Sequence, residues 1–198
     1  MSAGANQPRP SRTLSLPNLL TYGRLAAVPL VCGFLLLPGE SARWIAFTIF
    51  LAAAVTDFFD GYLARRWHQQ SAIGRMLDPI ADKVLVAAVL LVLAAINTIA
   101  GWHVIAAIII LSREVLVSGL REFLAELRVS VPVTTVAKYK TAVQLVAVGI
   151  LIIGPSGTAL APRLWDFGLA CLWIAAALTL YTGYDYFNAG IRHVIDEP

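Results

Sequence analysis

Long apolar runs make up most of this chain, and its polar residues gather at the breaks between them. A membrane-spanning helix needs about 20 predominantly apolar residues, and on that measure six segments stand out, at 16–37, 44–64, 76–96, 102–124, 133–153 and 164–187. LPGES follows the first, NTIAG the third and GPSGTALAPR the fifth, and such Gly- and Pro-bearing stretches end helices and make turns. An open sheet edge in lipid leaves backbone groups unsatisfied, so helices are the spanning elements. The pattern predicts an all-α, polytopic membrane protein with six transmembrane helices.

Composition agrees. Of 198 residues 59% are hydrophobic and 14% charged, and the mean hydropathy is +0.75, well beyond an ordinary soluble domain. The length suits one domain, read as residues 16–187, between a flexible cytosolic N-terminal tail at 1–15 and a cytosolic C-terminal tail at 188–198. The first fifteen residues are rich in Ser, Pro and Arg and lack a cleavage site after an apolar run, so they do not read as a signal peptide. Cys32 and Cys171 lie far apart in apolar stretches, which points to packing and not to a disulfide. Cytosolic loops carry the excess of Lys and Arg. Arg9, Arg12, Arg65, Arg66, Arg75, Arg121, Arg128, Lys138, Lys140 and Arg192 fall on one side, against Arg43 and Arg163 on the other. That asymmetry places both termini in the cytosol, and the basic face would draw anionic headgroups and phosphorylated substrates.

One polar stretch lies at the cytosolic ends of the second and third segments: TDFFDGYLARRWHQQSAIGRMLDPIADK, residues 56–83. At about 100° per residue, Asp57, Asp60, Gly61 and Ala64 share one stripe of the second helix. Gly74, Asp78 and Asp82 share one stripe of the third. A short link makes the two helices antiparallel neighbours, so the stripes can face each other around one small volume. Four carboxylates in a poorly solvated site force protonation or demand a cation, and hard oxygen ligands select Mg²⁺ or Mn²⁺. Two such ions on four aspartates make a clamp for a diphosphate. Gly61, Ala64 and Gly74 let a nucleotide or diphosphate come close to the backbone, and Arg65 is placed to hold a phosphate oxygen. Taken singly, Asp78-Pro79 is also a helix N-cap, Asp60-Gly61 a turn and Arg65-Arg66 an interfacial anchor. Those readings together explain neither the matched stripes nor Asp57 and Asp82, and an ionisable cluster at membrane depth is functional by default.

The spacing D-x-x-D-G-x-x-A-R, eight residues, G-x-x-x-D-x-x-x-D over 57–82 resembles the signature of the CDP-alcohol phosphatidyltransferase family, and the six-helix pattern resembles that family over nearly the whole chain. The resemblance implies a binuclear metal site on Asp57, Asp60, Asp78 and Asp82, with Asp82 also the general base. It implies CDP binding by Asp57, Asp60, Gly61, Ala64, Arg65, Ser71 and Gly74, where Ser71 stands at a position often occupied by Thr. It also implies transfer of a phosphatidyl group from CDP-diacylglycerol to an alcohol with release of CMP, a homodimer, and a place in the bacterial cytoplasmic (inner) membrane with the active site facing the cytosol.

Three further stretches, LPNLLTYGRL (16–25), LSREVL (111–116) and AKYKTAVQ (137–144), resemble those of phosphatidylglycerophosphate synthases, which implies sn-glycerol 3-phosphate as the acceptor. An unpaired Arg inside an apolar helix costs about 2.5 to 3.5 kcal/mol, so Arg113 is expected to face a polar cavity. With Lys138 and Lys140 it would form a site for the acceptor phosphate. Glu114 and Asp185 are also available to pair with Arg113, and the lysines could serve as interfacial anchors. An inositol phosphate is the alternative acceptor. An ion-coupled transporter predicts repeats and a midplane site, and neither shows in the sequence. A prenyl-diphosphate enzyme lacks the D-G-x-x-A-R run.

Overall fold

The computed structural model describes residues 16–67, 72–126, 135–159 and 161–195, and every regular element among them is helical. Six long helices follow in order: α1 (Leu16–Leu36), α2 (Glu40–Trp67), α3 (Ala72–Ala95), α4 (Val104–Glu126), α5 (Thr135–Ile153) and α6 (Leu164–Ile195). Short 3₁₀ turns at Gly101–His103 and Gly154–Ala159 precede α4 and follow α5. The all-α expectation holds for the described residues, and α6 runs on as helix to Ile195, past the apolar segment that ended at 187.

Four stretches are long and apolar enough to cross a membrane, at Asn18–Leu36, Gly101–Ala125, Val136–Gly157 and Leu164–Asn188. In α3 the apolar stretch is shorter, Lys83–Ala95. Both α2 and α3 carry the charged residues of the aspartate motif.

Helices in lipid gain little from hydrophobic burial against each other and associate by close packing of small residues. The core follows that rule: Ala27, Ala46, Ala53, Ala106, Ala147 and Ala175 are buried at helix contacts, while Leu91, Val115, Leu116 and Ile174 point outward. Gly168 shows how close the approach is. A Cβ there would lie 2.8 Å from Ile150 Cγ2, so the α5–α6 contact needs glycine. The main packed pairs are α5 with α6, α1 with both α2 and α3, α4 with α6, and α2 with α5. Where they are described, α2 and α3 pack chiefly against the intervening α1.

One end of the bundle is fastened by Arg43. Its Nη1 donates to the Ile152 carbonyl at 3.1 Å and its Nη2 to Thr98 Oγ1 at 2.8 Å, while Trp165 Nε1 donates to the Thr98 carbonyl at 3.3 Å. Burial lowers the guanidinium pKa from its usual value; an arginine keeps its charge regardless. Gly154, at φ +56, leaves room for this guanidinium, which a Cβ would meet. The same end of α3 closes on Asn97 in the left-handed conformation (φ 57), with Thr98 N–H donating to the Leu93 carbonyl at 2.9 Å. Asn tolerates that conformation better than other side-chain-bearing residues.

Candidate functional site

On three of the helices the buried face changes character partway along its length. On α1 the buried stripe reads Asn18, Thr21, Arg24 and then Ala27, Val31, Leu35. On α5 it reads Lys140, Gln144 and then Ala147, Val148, Leu151. Running the other way, α6 passes from Leu169, Leu172, Ala175 and Ala176 to Thr179, Thr182 and Tyr186. The polar stretches all fall in the half of the bundle that holds the start of α1, α3 and α5 and the end of α2, α4 and α6. The half fastened by Arg43 has an apolar core. A buried polar group costs free energy unless it is paired, so polar residues gathered at one level of three helices mark a site.

The same stripes account for the aspartate positions. Ala42, Ala46, Phe50 and Ala53 are the buried positions of α2, and their three- and four-residue spacing continues through positions 57, 60 and 64. On α3, Leu85, Val89 and Leu93 are buried, and the stripe runs back through positions 82, 78 and 74. By helical register, both sets therefore continue the core-facing stripes into the polar half. Ser71 lies outside the described residues, and so do the side chains of Asp57, Asp60, Ala64, Arg65, Asp78 and Asp82. The direct facing of the two stripes falls outside them as well. Among the described residues no three His, Cys, Asp or Glu side chains come together as a metal centre. The donor set at the four positions is all carboxylate oxygen, which suits Mg²⁺ or Mn²⁺.

The predicted cationic trio is only partly assembled. Arg113 and Lys140 meet at one carboxylate, Glu114: Arg113 Nη1 lies 3.4 Å from Glu114 Oε1, and Lys140 Nζ donates to the same oxygen. Arg113 Nη2 also donates to Thr182 Oγ1 at 2.9 Å, which links α5, α4 and α6 in one chain. Lys138 is exposed and stands apart from them. Of the two partners the sequence offered Arg113, Glu114 is the one that pairs with it. Gly183 borders this arginine closely, since a Cβ there would lie 3.0 Å from Arg113 Cγ.

Other residues of the polar half were not among the site residues assigned from the sequence. Tyr186 is buried with Arg113 and Arg121 beside its ring, and Arg121 Nη2 approaches its hydroxyl at 3.2 Å. The signal available was the periodicity of Thr179, Thr182 and Tyr186, a polar stripe on a helix otherwise apolar. Lys83 Nζ donates to Ser118 Oγ at a cavity of about 570 Å³ between α3, α4 and α5. Its wall on α3 includes Met76, Ile80, Lys83 and Ala87, and positions 78 and 82 lie nearly opposite Ile80 by register. This cavity is therefore on the far side of α3 from the aspartate stripe. A second hollow, of about 760 Å³ and almost wholly apolar, runs between α4 and α6.

Comparison with known proteins agrees with this arrangement. The CDP-alcohol phosphatidyltransferase family profile matches residues 14–181. The chain is 42% identical over 217 aligned residues to the CDP-diacylglycerol--glycerol-3-phosphate 3-phosphatidyltransferase of Cereibacter sphaeroides, covering 92% of this chain and 98% of that one. It is 46% identical over 175 residues to the protein of the same name from Rickettsia bellii (88% and 94%), and 42% identical over 187 residues to that from Pectobacterium atrosepticum (93% and 98%). The chain belongs to the CDP-alcohol phosphatidyltransferases.

Proposed function

We propose that this protein transfers the phosphatidyl group of CDP-diacylglycerol to sn-glycerol 3-phosphate, giving phosphatidylglycerophosphate and CMP in phospholipid synthesis. The observation that carries this reading is the likeness, at 42% identity and over nearly the full length of both chains, to a protein named for that reaction. The polar half of the bundle, with Arg113 and Lys140 placed around one carboxylate, supports an anionic acceptor.

In this reading all six helices cross the bacterial inner membrane and both termini are cytosolic. Residues 16–187 form the transferase domain between the tails 1–15 and 188–198. The polar half faces the cytosol, where CMP and glycerol 3-phosphate are soluble, and the chain works as a homodimer. Asp57, Asp60, Asp78 and Asp82 hold two divalent cations, Mg²⁺ or Mn²⁺. The cations, when bound, supply charge neutralisation on the diphosphate. Gly61, Ala64 and Gly74 let the CDP group lie against α2 and α3, with Arg65 and Ser71 on its polar atoms. Asp82 accepts the proton of the attacking glycerol hydroxyl as that oxygen bonds to the phosphatidyl phosphorus and CMP leaves. Arg113 and Lys140 hold the acceptor phosphate, and Lys138 draws the anion towards them from solvent.

The test is CMP release from CDP-diacylglycerol by purified protein in micelles, with acceptors supplied singly. Release is expected with glycerol 3-phosphate. Equal release with inositol phosphate or serine would leave only the broader family chemistry.

A further inference from the structure

We infer that Arg24 of α1 is a positioning residue for the aspartate site, its guanidinium holding the carboxylates of α2 and α3 in the arrangement that takes the divalent cations. The inference deepens the metal assignment proposed above and rests on it. Arg24 is 2% exposed, and it closes the buried polar stripe of Asn18 and Thr21, which runs on as Ala27, Val31 and Leu35. The main contacts of α1 are with α2 and α3, so this buried face looks onto those two helices. Level along the bundle follows from the helix bounds. Arg24 stands twelve residues before the end of α1, level in an antiparallel pair with position 52, twelve after the start of α2. By the same count Asn18 is level with position 58. Asp57, ten residues before the end of α2, is level with Asp82, ten after the start of α3. Position 57 is therefore about 7.5 Å from Arg24 along the bundle axis, at 1.5 Å per residue. Helical side chains lean towards their own N-terminus, which on α1 is the polar half, so the Arg24 head is carried towards the aspartate level.

Charge gives the reason. A guanidinium keeps its charge when buried, and a buried charge persists only with a counter-charge beside it. No acidic residue occurs in α1. The carboxylates of α2 and α3 are Glu40, at the opposite end of the bundle, and Asp57, Asp60, Asp78 and Asp82. The aspartates are thus the counter-charge available to Arg24. A planar fork that donates to carboxylate oxygens fixes their rotation and leaves the remaining oxygens for the cations. Four carboxylates without metal repel each other, and a fixed positive charge at their level keeps them together until metal binds. Arg43, at the other end, is held by a carbonyl and a hydroxyl instead, which makes it the contrast in the test.

The experiment titrates Mn²⁺ into metal-free purified protein in micelles and reads free Mn²⁺ by electron paramagnetic resonance, with circular dichroism for the folded fraction. Wild type is compared with Arg24→Gln, Arg24→Lys and Arg43→Gln. Removing a partner that orients metal ligands costs about ten- to a hundredfold in metal affinity, and Arg24→Gln is expected to raise the Mn²⁺ half-saturation by that factor. Arg24→Lys keeps the charge without the fork and should raise it severalfold; it also serves if the Gln variant does not fold. Excess Mn²⁺ should recover much of the CMP release that Arg24→Lys loses, whereas a packing defect would not respond to metal. Arg43→Gln should lower the unfolding temperature and leave the half-saturation unchanged. If the wild type binds Mn²⁺ and the folded Arg24 variants bind it equally well, the inference is overturned and the metal assignment stands. If the wild type binds no Mn²⁺, the metal assignment itself fails, and the inference with it.

Discussion

Replacing Glu114 by Gln removes the one carboxylate that Arg113 and Lys140 share, while keeping the size of the side chain. The Arg113 and Lys140 side chains are 11% and 8% exposed and Glu114 19%, so this is a partly buried triad, not a surface pair. Breaking a buried pair by removing one partner costs about 3 to 5 kcal/mol, because the remaining charge stays desolvated. Glu114 is the most exposed of the three and the amide can still accept a hydrogen bond, so a loss near the lower bound, about 3 kcal/mol, is expected. That is more than a hundredfold in the ratio of folded to unfolded protein, at about 1.4 kcal/mol per tenfold. The assay is reversible unfolding in mixed micelles, followed by circular dichroism, for Glu114→Gln, Lys140→Met and the double variant. Because the two side chains touch, the double variant should lose less than the two single losses together, by about 1 to 3 kcal/mol. Added glycerol 3-phosphate should restore part of the stability of Glu114→Gln, since an anion then stands among the same cations. A single-variant loss under about 0.5 kcal/mol, or strict additivity, would refute the view that Glu114 holds the two cations together.

Three more outcomes follow from the same arrangement. Excess EDTA should abolish CMP release and added Mg²⁺ or Mn²⁺ should restore it, because four clustered carboxylates need a cation to remain ionised together; undiminished turnover in EDTA would sink the metal assignment. Asp57→Asn and Asp78→Asn, on different helices, should each lower turnover about a hundredfold or more with unchanged helix content, and near wild-type turnover in either would break the register argument. Gly183→Ala should press on the Arg113 stem, which lies 3.0 Å from the new Cβ, and raise KM for the acceptor severalfold with little change for the donor.

Local periodicity explains why so much of the fold could be read from the sequence. The apolar segments at 16–37 and 133–153 became α1 and α5 almost unchanged, since helix length in lipid is set by the apolar run itself. The buried positions through Phe50 on α2 and Val89 on α3 keep the register on which the aspartate stripes were read, while the aspartate side chains lie outside the described residues. Contacts between helices were less legible. A short link suggested that α2 and α3 pack on each other, yet where they are described each packs chiefly on α1, a choice made by side-chain fit across the whole bundle. The basic residues proposed for the acceptor show the same limit. Arg113 stood out as an isolated charge in an apolar run, and its link to Lys140 needs the fold. Lys138, two residues from Lys140, lies almost on the other side of α5 and is exposed. Arg121 read as one more member of the positive face, because nothing local shows that Tyr186, 65 positions away, receives it.

The central claim is that the polar half of this bundle moves a phosphatidyl group onto glycerol 3-phosphate. Its most direct test follows radiolabelled glycerol 3-phosphate in a mixture of purified protein, CDP-diacylglycerol and Mg²⁺ in vesicles, measuring label in the lipid phase against CMP in water. The account predicts label entering lipid one for one with CMP, and neither appearing without CDP-diacylglycerol. Label that stays in the aqueous phase while CMP accumulates would contradict it, as would transfer to inositol phosphate or serine at an equal rate.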